Sequence, residues 1–350
     1  MTVLTEITGA AVAFGGRRGV AQQLRSLALG ALLFVPGSPA HALHISDLLN
    51  NMRAAERQLN YQGVFVLRKQ DRLLSMRVSH AAGDNGARET LETLNGEARR
   101  VLRDNRQVLS VYPQRKLVVI SADSAPREHS RLPEDLGALQ AYYEIERLPD
   151  DRIADQPTAV LQLTPRDNHR YGYRYWVDAN TGVLLRCDLT TENDSVIEQM
   201  MFTQVQYVDT LPDSLFSLPD TEGYQRRHLG DDRIEIDNVA WRVNALPPGF
   251  VLTQSSEQRQ DGRRNLHLVY SDGLASVSVF IEGDDGDHAL SGPRHMGALN
   301  AYGLRHGKYS ITVMGEVPAA TVEQIALSTE YLGEAGSDDH DDDAEPEIGD

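Results

Sequence analysis

Tyr61-Gln-Gly-Val-Phe-Val-Leu67, followed by Arg72-Leu-Leu-Ser-Met-Arg-Val-Ser-His80, decides how the rest of the chain is read. Strand side chains alternate between faces, so Tyr61, Phe65 and Leu67 point one way and Val64 and Val66 the other. An antiparallel sheet with one wet face carries polar residues on that face. The first segment is apolar on both. The intervening Lys69-Gln70-Asp71 is short and polar, as a hairpin connection should be. The stretch therefore reads as a hairpin in a sheet with two dry faces, each of which needs a cover. The helix just upstream supplies one. Further protein or an apolar ligand supplies the other, and that alternative is the functional question.

The upstream helix starts at a Ser46 or Asp47 cap and runs to about Leu59. Leu48, Met52, Ala55 and Leu59 recur at helical spacing, while Asn50, Arg53, Glu56 and Arg57 fall elsewhere. Downstream, Arg88–Leu94 and Ala98–Arg103 read as strands joined at Asn95-Gly96, a dipeptide whose turn positions tolerate positive φ. Gln107–Tyr112 and Lys116–Ser121 continue an up-and-down antiparallel sheet, curled or partly closed. Asp123–Glu146 breaks the strand pattern, with a short helix around Leu132, Leu136 and Leu139. Strands resume at Thr158–Thr164, Arg170–Asp178, Gly182–Leu189 and Ser195–Val208. Cys187 shares a face with Val183, Leu185 and Leu189 and reads as a buried small residue rather than a reactive thiol.

Leu218-Pro219 ends this sheet, and the polar, Gly-containing residues 220–233 read as a linker. A second domain over 234–333 shows strands at Phe250–Glu257, Arg264–Ser271 and Leu274–Gly283, with Asp272-Gly273 as a tight turn. A further strand carries Tyr309, Ile311 and Val313. Pro318 opens a helix with Val322, Ile325 and Leu332 on its apolar stripe. The fold class is α+β, mainly antiparallel β: a larger half-open barrel domain over 43–219 with covering helices, and a smaller sheet-and-helix domain.

The chain of 350 residues is long enough for two cores. A formal charge of −17 argues against a nucleic-acid partner, which would require a basic surface. Nine acidic residues and no Lys or Arg lie between Glu334 and Asp350, so about half of that charge is a tail with too little apolar surface to fold. The single Cys187 excludes an internal disulfide framework and a Cys-based zinc site. Arg17, Arg18 and Arg25 precede the apolar run Ser26–Val35 and then Ala40-His41-Ala42. A basic region, a short apolar core and an A-x-A site form a secretory signal within residues 1–42, and the run is too short to span a bilayer comfortably. The mature chain is expected to be exported.

No catalytic constellation emerges: there is no G-x-S-x-G, H-E-x-x-H, P-loop or G-x-G-x-x-G. Asp284-Asp-Gly-Asp287 lacks the spaced ligands and distal Glu of a calcium loop. No cofactor and no metal site are expected, and an enzyme would need a site assembled from residues distant in sequence. Three features point to binding instead. The doubly apolar hairpin, extended by Trp176 and Met200-Met-Phe202, nominates Val64, Phe65, Val66, Met76, Trp176 and Met201 as lipid-cavity candidates, although an ordinary second layer would account for them too. Arg99, Arg100, Arg103 and Arg106, with Arg115 and Lys116, are candidates for an anionic head group or an acidic partner, or are scattered surface charges. Tyr171, Tyr173, Tyr175 and Trp176 are core or recognition surface.

Several runs resemble the RseB/MucB family: Leu59-Asn-Tyr-Gln-Gly-Val-Phe-Val66, Asn95-Gly-Glu-Ala-Arg-Arg-Val101, and Arg170-Tyr-Gly-Tyr-Arg-Tyr-Trp-Val-Asp178 with Thr181-Gly182. So do Tyr270-Ser-Asp-Gly-Leu-Ala-Ser-Val-Ser-Val-Phe-Ile-Glu282, Asn300-Ala-Tyr302 and Val313-Met-Gly-Glu-Val-Pro318. The likeness extends from about Ser46 to Leu332; the acidic tail and the long N-terminal extension depart from it. The resemblance implies a periplasmic regulator that binds the periplasmic domain of a transmembrane anti-sigma factor and shields it from regulated proteolysis. It implies a larger domain of the LolA/LolB type and release of the partner by lipopolysaccharide or lipoprotein acyl chains. It assigns no individual contact residues. A homodimer stays open, and a lipoprotein carrier of the LolA type is the alternative function.

Overall fold

The computed structural model describes residues 45–83, 86–104, 107–122, 139–228, 234, 239–260, 263–283 and 290–333. The leader reading, the acidic tail, the helix expected around Leu132 and Leu136, and Arg106 lie outside the described residues.

Helix α1 (Ile45–Gln58) leads into a twelve-stranded sheet. Its strands are β1 (Asn60–Lys69), β2 (Arg72–Ala81), β3 (Arg88–Thr93), β4 (Arg100–Arg103), β5 (Gln107–Tyr112), β6 (Leu117–Ala122), β7 (Tyr143–Ile153), β8 (Gln156–Pro165), β9 (Gly172–Asp178), β10 (Leu184–Thr190), β11 (Val196–Val208) and β12 (Gln225–His228). The order β12-β6-β5-β4-β3-β2-β1-β11-β10-β9-β8-β7 is a meander outward from β1, then a second meander that starts at the far edge and returns to it. The long strand β11 closes this path by pairing antiparallel with β1, Phe65 opposite Phe202 and Leu67 opposite Met200.

Strand β1 alternates as its sequence requires: Phe65 is wholly buried and Leu67 nearly so, while Val64 and Val66 keep part of their surface. α1 buries Leu48, Leu49, Met52 and Ala55 in the same core as Phe65, Phe202 and Tyr175. The expectation of two equally dry faces is thus corrected. On the Val64 face the neighbouring strands present Ser75, Arg77 and Gln204 opposite Val66 and Val64, so that face is mixed and partly wet.

Two elements depart from the sequence reading. Tyr143–Ile153 is the edge strand β7, inside the stretch expected to break the strand pattern at its start. Its Pro149 is tolerated because an edge strand leaves one row of backbone groups unpaired. Residues 225–228, expected in the linker, form β12 and pair parallel with β6. The preceding one-turn helix Asp213–Phe216 is pinned to the sheet, the Leu215 carbonyl accepting from Thr90 Oγ1 at 2.8 Å and Arg100 Nη2 at 2.7 Å.

The smaller module is a six-stranded antiparallel sheet in the order β14-β15-β16-β19-β18-β17. Its strands are β14 (Val251–Gln260), β15 (Arg263–Ser271), β16 (Ser276–Gly283), β17 (Gly292–Met296), β18 (Leu299–His306) and β19 (Tyr309–Gly315). Helix α2 (Ala319–Leu327) buries Val322, Ile325 and Ala326 against Leu268, Val277, Val279, Ile311 and Val313. A ribbon of β13 (Trp241–Val243) and β20 (Thr329–Tyr331) completes it.

In the larger module the Tyr207 hydroxyl donates to Asp178 Oδ2 at 2.5 Å, and burial together with that bond raises the phenol well above its ordinary range. A raised folded-state value makes the contribution fully present below the unfolded value and lost as pH climbs past about 10. Urea midpoints should therefore hold to about pH 10 and fall above it, and Tyr207→Phe should flatten part of that fall. Parallel slopes for the two proteins would show that this hydroxyl does not contribute.

Candidate functional site

The six lipid-cavity candidates occupy two faces of the sheet. Phe65 and Met76 are cross-strand partners on the face covered by α1, 0% and 2% exposed. Val66, Met201 and Trp176 lie on the opposite face, in one row through Arg186, and Val64 shares that face. Trp176 is buried there by its own neighbours: the Arg186 guanidinium stacks 3.9 Å from the ring centroid, and Nε1–H donates to Asp151 Oδ2 at 2.9 Å. The Arg152 backbone N–H, and after it the Trp176 bond, hold the Asp151 carboxyl below its usual range. Arg186 in turn pairs with the fully buried Asp188, which also accepts from Gln199. Of the aromatic series, Tyr173 and Tyr175 are core.

The arginine cluster is divided by the same alternation. Arg99 and Arg103 face the α1 side with Val101 and its partner Leu91, and Arg103 lies opposite the buried Glu89 and Val108. Arg99 reaches Ser110 Oγ at 3.3 Å and lies over the Tyr112 ring. Arg100 faces the other way, held by the Leu215 carbonyl and Glu92. Arg115 is in a two-point ion pair with Glu97 at 2.6 and 2.7 Å.

Among the described residues a second polar construction is the seam between the modules, which the sequence reading did not single out. Arg170, its side chain wholly buried, places Nη1 2.5 Å from Asp272 Oδ2, and Asp272 is equally buried. The same guanidinium binds Asp167 from its own module and donates to the Pro248 carbonyl at 2.7 Å. The rings of Tyr142, Tyr143 and Phe250 surround it. Burial pushes the Tyr143 phenol far up, with the neighbouring Tyr173 and Asp272 adding to the effect, so it stays a neutral donor toward Asp272. On either side of Arg170, the His169 carbonyl accepts from Thr321 Oγ1 at 2.9 Å and the Tyr171 hydroxyl accepts from Asn300 Nδ2 at 3.1 Å. Lys69 at the β1–β2 turn adds a bridge between Glu198 of its own module and Glu316 of the other, 3.2 Å to each.

The chain matches the MucB/RseB N-terminal domain over residues 44–219 and the MucB/RseB C-terminal domain over residues 235–330. It belongs to the MucB/RseB family. The sigma factor AlgU regulatory protein MucB of Pseudomonas aeruginosa is 31% identical over 310 residues, covering 86% of this chain and 95% of that protein. The sigma-E factor regulatory protein RseB of Escherichia coli K12 is 26% identical over 316 residues, 87% and 96% of the two. The crystal structure of MucB in complex with MucA(peri) superposes with a TM-score of 0.66 at 29% identity, covering 83% of this chain and all of that one.

Four of the runs that resemble the family contribute residues to the seam. Arg170 and Tyr171 open one of them, Asp272 sits in a second, Asn300 begins a third, and Glu316 lies in a fourth. The named relatives are regulatory proteins, and MucB forms a complex with MucA(peri). Among the described residues no cluster of His, Cys, Asp and Glu could hold a metal ion, and no helix is long and apolar enough to cross a membrane.

Proposed function

We propose that this chain is a periplasmic regulator of an envelope-stress sigma factor. It binds the periplasmic segment of a membrane-spanning anti-sigma factor, shields that segment from regulated proteolysis, and lets it go when lipid-like signals accumulate. The observation that carries the reading is the match to both family domains together with the likeness to MucB in its complex with MucA(peri). Both modules of this chain are joined by a built seam, which suits a partner that reads them together.

The lipid part of the reading rests on physics. An acyl chain gains roughly 0.8 kcal/mol per methylene removed from water, so an apolar site needs no catalytic group. Under α1 the floor is filled by the protein's own Phe65, Met76 and Phe202. An acyl chain would therefore enter by lifting α1, on whose side of the sheet Arg99 and Arg103 also lie. Lipid and anti-sigma segment then favour different states, and by linkage each weakens the other.

The test is a pull-down of the purified protein with the periplasmic segment of the anti-sigma factor, with and without lipid A. Capture that lipid A diminishes is the expected result. Absence of capture in both arms would sink the reading, and capture indifferent to lipid A would remove its lipid part. Transfer of a lipoprotein between membranes in the same assay would indicate a carrier instead.

A further inference from the structure

We infer that His169-Arg170-Tyr171 is a plug that fixes the mutual orientation of the two modules, with Arg170–Asp272 as an ion-pair latch that water can open. Three consecutive residues just before β9 meet three separate parts of the smaller module: Thr321 of α2, Asp272 at the β15–β16 turn, and Asn300 of β18. One short segment held at three points specifies an orientation, where a single contact would allow rotation. Arg170 is accordingly a positioning residue for partner capture. That role rests on the partner-binding reading above, and the latch itself does not.

The chemistry of the pair sets how the latch behaves. Closing the seam strips water from both charges, and the desolvation offsets much of their attraction. Opening it returns water to both. Neither charge is stranded when the modules part. Arg170 keeps Asp167, a partner from its own module that is already partly exposed. Asp272 keeps the backbone N–H groups of Leu274 and Ala275 on Oδ1 at 2.9 and 2.7 Å. An apolar seam of the same extent would have no such compensation, because opening it only exposes hydrocarbon. Removing one partner is different: without Arg170 the Asp272 charge is uncompensated inside the closed seam, and without Asp272 the Arg170 charge is matched by Asp167 alone, so either loss should drive the seam open.

The experiment is a distance measurement by pulsed spin-label spectroscopy between Arg152→Cys in the larger module and Leu327→Cys in the smaller. Both positions are exposed, at 72% for the Arg152 side chain and 65% for Leu327, and the native Cys187 is buried and spared by the label. The unmutated seam should give one narrow distance distribution. Arg170→Met, which strands Asp272, and Asp272→Asn, which keeps the turn-forming oxygen but removes the charge, should each broaden it. The double variant Arg170→Met/Asp272→Asn, with neither fully buried charge left and only the partly exposed Asp167 remaining, should return toward the narrow form. Should a charge variant fail to fold, Thr321→Val, which removes only the bond to the His169 carbonyl, should broaden the distribution to a smaller degree. Unchanged distributions in the folded single variants, or a double variant as broad as the singles, would overturn the latch. Affinity for the anti-sigma segment should fall at least tenfold in each single variant and recover in the double; a broadened distribution with unchanged affinity overturns the positioning role alone. If the unmutated protein captures no segment at all, the partner reading falls while the distances still judge the latch.

Discussion

Phe65→Ala should lower the unfolding free energy of the larger module by about 3–5 kcal/mol, whereas Val64→Ala, one residue away, should lower it by about 1 kcal/mol or less. The contrast follows from strand alternation. Phe65 is wholly buried, its ring centroid 5.5 Å from that of Phe202 and its backbone in register with Met76, so truncation leaves a void that close-packed neighbours fill only in part. Val64 sits on the opposite, partly wet face beside Arg77 and Gln204, where water takes up the lost volume. Urea titration of both variants measures the difference. The same void has a functional readout, since a dry apolar cavity accepts a small hydrocarbon. Phe65→Ala should take up a fatty-acid probe more tightly than the unmutated protein, because the probe no longer has to displace the ring. Equal stabilities for the two variants, or equal probe binding by the variant and its parent, would place the acyl site away from this floor.

The hairpin, the helix before it and the strands that follow each other in sequence were legible because their signals are local: alternation, a cap, a turn dipeptide. The division of Val64, Phe65 and Val66 between two faces was legible as well, and grouping all three in one cavity ran against the alternation that identified the strand. The β1–β11 pairing was not readable. It joins Asn60 to Val208 through backbone hydrogen bonds that leave no periodic trace in either segment. Strand β7 hid because its edge position leaves Glu144, Glu146, Arg147 and Asp150 in or near solvent. Strand β12 hid for the same reason, all four residues being exposed and polar. At the seam, Arg170 read as the start of a strand and Asp272 as a turn former. Each reading is sound locally. What makes them a pair is their approach across 102 residues of sequence, which no single-segment pattern encodes.

Gly182→Ala should be the costliest small substitution in the larger module, about 2–5 kcal/mol, because two penalties add. Gly182 holds φ at +80°, in the left-handed region where a Cβ costs about 1–2 kcal/mol. A Cβ there would also stand 2.5 Å from the Asn51 carbonyl oxygen and 2.7 Å from its carbon, and both are backbone atoms of α1. A helix backbone has no rotamer by which to yield, so α1 must shift as a body, and Leu48, Leu49, Met52 and Ala55 move with it off the floor. Gly96→Ala isolates the first penalty: its φ is +74°, yet nothing lies within 4 Å of the added carbon, so it should cost only about 1–2 kcal/mol. The pair then decides whether α1 is the cover that lipid lifts. If it is, Gly182→Ala has already done part of that work, and half-release of the anti-sigma segment should need several-fold less lipid A than in the unmutated protein. Gly96→Ala, far from α1 in contact terms, should leave that requirement where it was. Both variants responding alike would mean that lost stability alone sensitises the protein. A Gly182→Ala protein that is destabilised but unchanged in its lipid requirement would mean that acyl chains enter without moving α1.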